Sequence, residues 1–271
     1  MKRIAIYLFI ILMIGSCEEQ IAWDFKTRDL PLLVVEGMIT NEKTRHQVKL
    51  TRPVTELNEI PEPVSGATVT IHENEKLLLL SEDPVGSGIY KTDSIIGVIM
   101  KVYLLNIRIN GKNYTAQTEM IRVTPLDPLD YSPVNDSSGY YKLNLYDSDE
   151  PSITEYYLDW SHVPGNNNTN VDCCRAKIIY YSLNTIDIDE MFRPEKEQVI
   201  FPAGTKVYRR KFSMNEAHAA FIRTLLSEIE WRGGLFDVQP GNVQTNISEG
   251  AIGYFAASTV VSDTTIIQPL K

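Results

Sequence analysis

Cysteine and histidine are scarce in this chain: three and four among 271 residues. The histidines at 46, 72, 162 and 218 never form the His-Glu-x-x-His spacing of a zinc protease. His72-Glu73 is followed by Asn74, Glu75 and Lys76, so a second ligand is missing. No second cysteine pair stands at zinc-ribbon distance. Gly111-Lys112 has no glycine loop before it, which excludes a P-loop. Gly86-Ser87-Gly88 sits between strand-like runs and reads as a turn rather than a nucleophile elbow. Excess positive charge is also lacking: 26 Lys and Arg stand against 35 Asp and Glu, a formal charge of -9. Phosphate backbones require a cationic surface, so nucleic acid is not an expected partner. Gly (15) and Pro (14) are too few for a collagen-like or low-complexity chain. The charged (23%) and hydrophobic (43%) fractions are those of a globular protein. At roughly 150 residues per domain the length allows one or two domains.

One long apolar run is present, at the N-terminus. Lys2 and Arg3 precede Ile4 to Ile14, and Gly15-Ser16-Cys17 follow. A basic start, a short apolar stretch and small residues before a cysteine are the parts of an export signal. The tetrad Ile14-Gly15-Ser16-Cys17 matches a bacterial lipobox, which predicts a signal peptide over 1–16 and acylation of Cys17. More than one acyl chain gives stable membrane anchoring, whereas one is marginal. Removal of the signal takes away Lys2 and Arg3 and no acid, making the chain more acidic still. Glu18 and Glu19 follow the lipid site, a pattern similar to the surface-export signal of Bacteroidota lipoproteins. The expected location is the outer membrane, lipid-anchored and facing the exterior. Cys173 and Cys174 remain. Adjacent cysteines either point to opposite faces of a strand, one buried, or close a vicinal disulfide in an oxidising compartment.

Beyond a polar tether over 17–30, period-two alternation dominates. Leu32 to Thr40 is rich in strand formers. Val48 and Leu50 share one face, and Ala67, Val69 and Ile71 alternate with Thr68, Thr70 and His72. Tyr103, Leu105, Ile107 and Ile109 lead to Asn110-Gly111, the pair that favours a type I′ hairpin turn, and Tyr114, Ala116 and Thr118 return from it. About seven short strands in roughly 95 residues predict an Ig-like or prealbumin-like β-sandwich over 31–124. Pro125 and Pro128 interrupt regular structure and mark a boundary. The rest, 125–271, reads as a β-rich domain with one helix near 214–231. Ser213 and Glu216 form a capping box, and Met214, His218, Phe221, Ile222, Leu225 and Ile229 share one helical face. Gly233-Gly234 ends it. Ala251 to Val261 reads as the last strand of this second domain. The fold class is mainly β.

Three stretches, in order, carry a family resemblance. Cys17 is followed within about 20 residues by Leu32-Leu-Val-Val-Glu-Gly-Met-Ile-Thr40. Pro63-Val-Ser-Gly-Ala-Thr-Val-Thr-Ile71 continues to Gly88-Ile-Tyr90. Gly253-Tyr254-Phe255 comes after Gly241-Asn242 and Asn246-Ile247. Together they resemble the domain-of-unknown-function family 4249, lipoproteins of Bacteroidota. The resemblance implies an outer-membrane lipoprotein, often encoded beside TonB-dependent receptors, and supplies no catalytic residues.

The chemistry-bearing residues nominate no catalytic site. Asp159, Ser161 and His162 lie in one short run, but triad members converge from distant positions. Asp147-Ser-Asp-Glu150 and Asp187-Ile-Asp-Glu190 lack calcium-loop spacing and read as solvated turns. No pair of carboxylates is singled out for glycoside hydrolysis. Aromatic pairs crowd the second half, and strand alternation sends one ring of each pair to either face. Such rings stabilise a sheet through cross-strand pairs, or else build an exposed surface that takes a glycan or peptide ligand, for which Tyr141, Tyr157, Trp160 and Tyr181 are the candidates. The expectation is a surface-displayed, non-enzymatic accessory to a TonB-dependent transporter, with no cofactor or metal. A hydrolase of extracellular polymers and an adhesin or envelope-spacing lipoprotein are the alternatives.

Overall fold

Alternating side chains decide what enters the first core. A computed structural model describes residues 32–269 except 55, 57, 135–138, 166–173, 184–197 and 231–242. Seven strands follow from the N-terminal side: β1 (Leu33–Thr40), β2 (Thr44–Thr51), β3 (Thr68–Glu73), β4 (Lys76–Glu82), β5 (Ile89–Ile95), β6 (Val102–Ile109) and β7 (Lys112–Glu119). Leu33, Val35, Val48, Leu50, Val69, Ile71, Tyr103, Leu105 and Ile107 are buried together. Each belongs to one parity of its strand, as a sheet with one packed face requires. The β6–β7 turn places Asn110 and Gly111 at φ 48° and 75°, the positive pair that a type I′ turn demands.

The sheet order is β14-β1-β2-β5-β4-β3-β6-β7, where β14 is Ala251–Ser258. This strand pairs parallel with β1 from Leu33–Ala251 to Thr40–Ser258. It was expected at the end of the second region and lies instead in the first sheet. Its apolar face explains the choice: Phe255 and Ala257 are buried in the sandwich core. Asn246 then fastens the two outer strands to each other. Its side chain accepts from Phe255 N (3.0 Å) and donates to Phe255 O (2.8 Å) and Gln117 O (3.1 Å). Ser248 N also donates to Thr115 O at 2.8 Å. The sandwich is thus closed between β14 and β7, and neither ladder is left as a bare edge there.

Glycine is obligatory at two of its seams. Gly253 has φ +101°, and a Cβ there would lie 2.1 Å from the Val35 carbonyl oxygen. Gly88 has φ +68°, and a Cβ would lie 2.4 Å from Leu50 O. Tyr90, two residues further, accepts from Ala67 N (2.9 Å) and donates to Val64 O (3.0 Å). That bond pair ties β5 to the segment from Pro63 to Ile71.

A second sheet has the order β11-β10-β13-β15, from β10 (Ser152–Asp159), β11 (Arg175–Ser182), β13 (Lys206–Ser213) and β15 (Val260–Ile266). Its inner face packs on a three-stranded sheet of β8 (Tyr131–Pro133), β9 (Tyr140–Leu143) and β12 (Phe201–Pro202). The proline-containing segment also covers that face. Arg209, 5% exposed, is paired with Asp263 and donates to Asp127 O at 2.8 Å. Lys211 donates to Thr124 Oγ1 at 2.7 Å, and burial pushes its ammonium below the usual lysine range.

Thr259 alone separates β14 from β15, so one continuous chain passes from the first sheet to the second. Ser213 N donates to Thr259 O, and Thr259 N donates back to Ser213 Oγ. Both hydroxyls then donate to Ile121 O. Asn41 bonds both backbone groups of Val260. Residues 31–271 form one compact unit.

Among the described residues there is one helix, α1 (Glu216–Glu230). Its cap is Asn215, whose Oδ1 accepts from His218 N at 2.9 Å. Ser213, expected in that role, is held in β13 by the strand junction. His218 and Phe221 stack on Tyr254 of β14 at centroid distances of 4.8 and 4.9 Å. Ala219 and Ile222 pack with Ile153 and Tyr181 of the second sheet.

Candidate functional site

The register of the second sheet sorts its outer side chains into rows that run across four strands. At the helix end, Tyr181, Ile153, Phe212 and Val260 are cross-strand partners. Tyr181 and Ile153 lie against α1. The next row is Ile179, Glu155, Arg210 and Ser262. Then comes Lys177, Tyr157, Tyr208 and Thr264, and last Arg175, Asp159, Lys206 and Ile266. The two final rows, apart from Ile266, line an open cleft of about 580 Å³.

The rings of Tyr157 and Tyr208 are 6.0 Å apart and tilted by 32°. Such an offset pair contributes attraction beyond its buried area. Lys177 Nζ lies 5.0 Å from the centre of the Tyr157 ring, within cation–π reach. Tyr157 donates its hydroxyl to Glu155 Oε2 at 2.8 Å, and Lys177 donates to Glu155 Oε1 at 2.7 Å. These contacts fix the ring before any ligand arrives. Burial alone would raise the Glu155 carboxyl, but the bonds from Lys177 and Tyr157 and the Arg210 charge outweigh it and hold it below the usual range. Lys177 is raised in turn by its bond to Glu155.

Asp159 accepts from Ser161 Oγ (2.6 Å) and Ser161 N (3.0 Å), and from Arg175 Nε at 3.1 Å. These bonds, Ser161 first, lower its carboxyl. His162 turns away and shares a hydrogen bond with Gly204 O at 3.0 Å. The run from 159 to 162 is therefore a turn held by Asp159, and the imidazole does not approach the Ser161 hydroxyl. Glu155 and Asp159 share one face of one strand four residues apart, roughly 13 Å by strand rise. Paired glycosidase carboxylates stand about 5–9.5 Å apart, and one of them must hold its proton. Here both are drawn toward the ionised form.

Of the four aromatic candidates, Tyr157 lies at the open cleft. Trp160 shares the even-numbered inner parity of Tyr156 and Leu158, and all three are buried. Tyr157 and Trp160 could not have shared a face, because they stand an odd number of positions apart on an extended chain. Tyr141 is also buried, edge-on to Tyr131 at 5.7 Å, while Tyr140 points outward. Tyr181 has the outer parity but is packed with the helix cluster. Tyr208, Lys177, Lys206 and Arg175 were not singled out from sequence. Alternation in Lys206-Val-Tyr-Arg-Arg-Lys-Phe212 puts Lys206, Tyr208 and Arg210 on one face, but which strand pairs with it is a tertiary fact.

Cys174 is buried at the start of β11, whereas Cys173 and Cys17 lie outside the described residues. So do Asp187–Glu190 and Gly233–Gly234. Asp147 accepts from the Tyr180 hydroxyl at 3.2 Å. Among the described residues no three His, Cys, Asp or Glu side chains are gathered as metal ligands.

Fold and face define a mainly β protein with a closed sandwich, a second sheet and one helix, carrying an open aromatic and cationic surface. The chain belongs to the family described as Domain of unknown function (DUF4249), which it matches over residues 18–264. No curated protein matches it significantly. Residues in the stretches that carried the resemblance have structural work in this fold: Gly253 and Phe255 seat β14 on β1, Asn246 closes the sandwich, and Tyr90 holds the 63–71 segment.

Proposed function

We propose that this protein is a lipid-anchored lipoprotein of the outer membrane, displayed outward in a Bacteroidota cell, that binds rather than transforms its ligand. It acts as an accessory to a TonB-dependent transporter. The binding half rests on one observation. The open face is built around two ordered tyrosine rings, and its acids, Glu155 and Asp159, are committed to ion pairs and hydrogen bonds. A pre-ordered aromatic platform suits recognition, because little side-chain freedom is lost on contact. Carboxylates held ionised and roughly 13 Å apart do not suit hydrolysis. The anchoring half rests on Ile14-Gly15-Ser16-Cys17 with Glu18-Glu19, and the transporter on what the family resemblance implies.

The test is affinity purification from outer membranes in mild detergent, with a tag after Lys271. A TonB-dependent receptor should co-purify in fixed stoichiometry. Recovery of the protein by itself would overturn the partnership.

A further inference from the structure

We infer that the open end of the second sheet binds an acidic glycan, a sugar chain carrying carboxylate or sulfate groups. This inference rests on the binding reading of the same face and names its ligand class. The three outer rows beyond the helix end hold four cations, Arg175, Lys177, Lys206 and Arg210, against two acids, Glu155 and Asp159, and Lys177 and Arg210 are paired with Glu155. The chain as a whole carries -9. A cationic island on an acidic protein draws an anionic ligand to that face. Asp159 is already engaged by Arg175 and Ser161. Lys206, its cross-strand partner on β13, makes no ion pair among the described residues. Arg175 uses Nε on Asp159, and its side chain is 56% exposed.

Charge alone would fit many anions, and the middle row narrows the choice. Lys177, Tyr157, Tyr208 and Thr264 lie side by side across four strands, roughly 14 Å at the usual strand spacing. A pyranose presents an apolar C–H face that packs on a tyrosine ring and an equatorial rim of hydroxyls for neighbouring donors and acceptors. Thr264 at one end and Lys177 at the other supply those. A nucleic-acid strand, charged at every residue, draws its affinity from neutralising many phosphates, and this face has too few free cations to do so. An acidic glycan, with its charges spaced along the chain, matches Lys206 and the exposed Arg175 beside a stacking row.

Isothermal calorimetry on the purified, acylated full-length mature protein in detergent micelles tests this. The probes are a hyaluronan hexasaccharide, with a carboxylate on every second sugar, and a keratan sulfate hexasaccharide, sulfated only on its glucosamines, beside the methyl-esterified and desulfated counterparts. At least one acidic probe should bind, about tenfold or more tighter than its neutral counterpart. Tyr208→Ala and Lys206→Gln should each weaken it about tenfold, with circular dichroism unchanged. Absence of binding by both acidic probes would overturn the inference. So would equal binding of the neutral counterparts, or displacement of the glycan by a single-stranded oligonucleotide or phosphatidylglycerol vesicles at equal charge. The transporter is absent from this assay. A failed pull-down therefore leaves the glycan result standing, and a failed titration leaves the pull-down standing.

Discussion

The sandwich and the second sheet spend their polar groups in opposite ways. In the sandwich, side-chain polar atoms close the structure: Asn246 joins β14 to β7, Tyr90 holds the 63–71 segment, and Tyr103 receives Val98 N at 2.7 Å. In the second sheet the buried polar groups fasten it to its surroundings, Arg209 to Asp127 and Ser213 to Thr259, while the outer rows keep an array facing solvent. A closed sheet has every ladder matched and tolerates little change. A sheet covered on one face and half of the other can hold functional side chains without cost to its core. Stability and recognition are thereby separated within one chain.

Substitutions should part the two regions by size of effect. Gly253→Ala should be the most damaging, by about 4 kcal/mol, because a Cβ would enter the Val35 carbonyl at a backbone angle that disfavours any side chain. Urea unfolding measures this, and a loss below 1 kcal/mol would show that β14 can shift on β1 freely.

Acid should act next, through α1. His218 is buried against Tyr254 with its pKa pushed down to about 4, and Tyr254 pushed up to about 12, both by burial. The unfolded chain takes up the proton near 6.5, so the stability His218 contributes falls as pH drops from 6.5 toward 4 and this loss is complete below. The loss is about 3 kcal/mol. His218→Phe keeps an aromatic ring on Tyr254 and should flatten this slope relative to wild type. An unchanged slope would remove His218 from the account.

Asn246→Ala should cost about 2 kcal/mol, since Phe255 N and O and Gln117 O lose their partner together. Amide exchange at Phe255 should quicken before that of the second sheet, and equal quickening in both would deny that the closure is local. The smallest effect belongs to Tyr208→Ala. It should change stability by about 0.5 kcal/mol, because the ring is 36% exposed and its main loss is the contact with Tyr157. A loss near that of Asn246→Ala would make the open face part of the core instead.

Much of the sandwich was legible in single strands. Period two in Val69-Thr-Ile71 and Tyr103 to Ile109 names the buried side, and Asn110-Gly111 names the turn. The helix was legible by its apolar face, although Ser213 and Asn215 compete as caps and the strand junction decides between them. The candidate site was less legible. Tyr156 and Tyr157 divide between faces as alternation requires, but parity cannot say which face stays open. Tyr181 shares the face of Tyr157 and is covered because α1 packs over that end. Tyr208 had no signal of its own until β13 was placed beside β10.

The sequence by itself determined the local rules: which residues are extended, where the chain turns, where glycine is needed, and that the N-terminal segment has the form of a lipoprotein signal. Tertiary structure decided the partners. It put Ala251–Ser258 beside β1, carried the chain through Thr259 into the second sheet, and lined up Lys177, Tyr157, Tyr208 and Thr264. The physical reason is range. Backbone geometry and side-chain alternation act over a few residues, whereas strand pairing depends on apolar faces that meet only after some 200 intervening residues have folded.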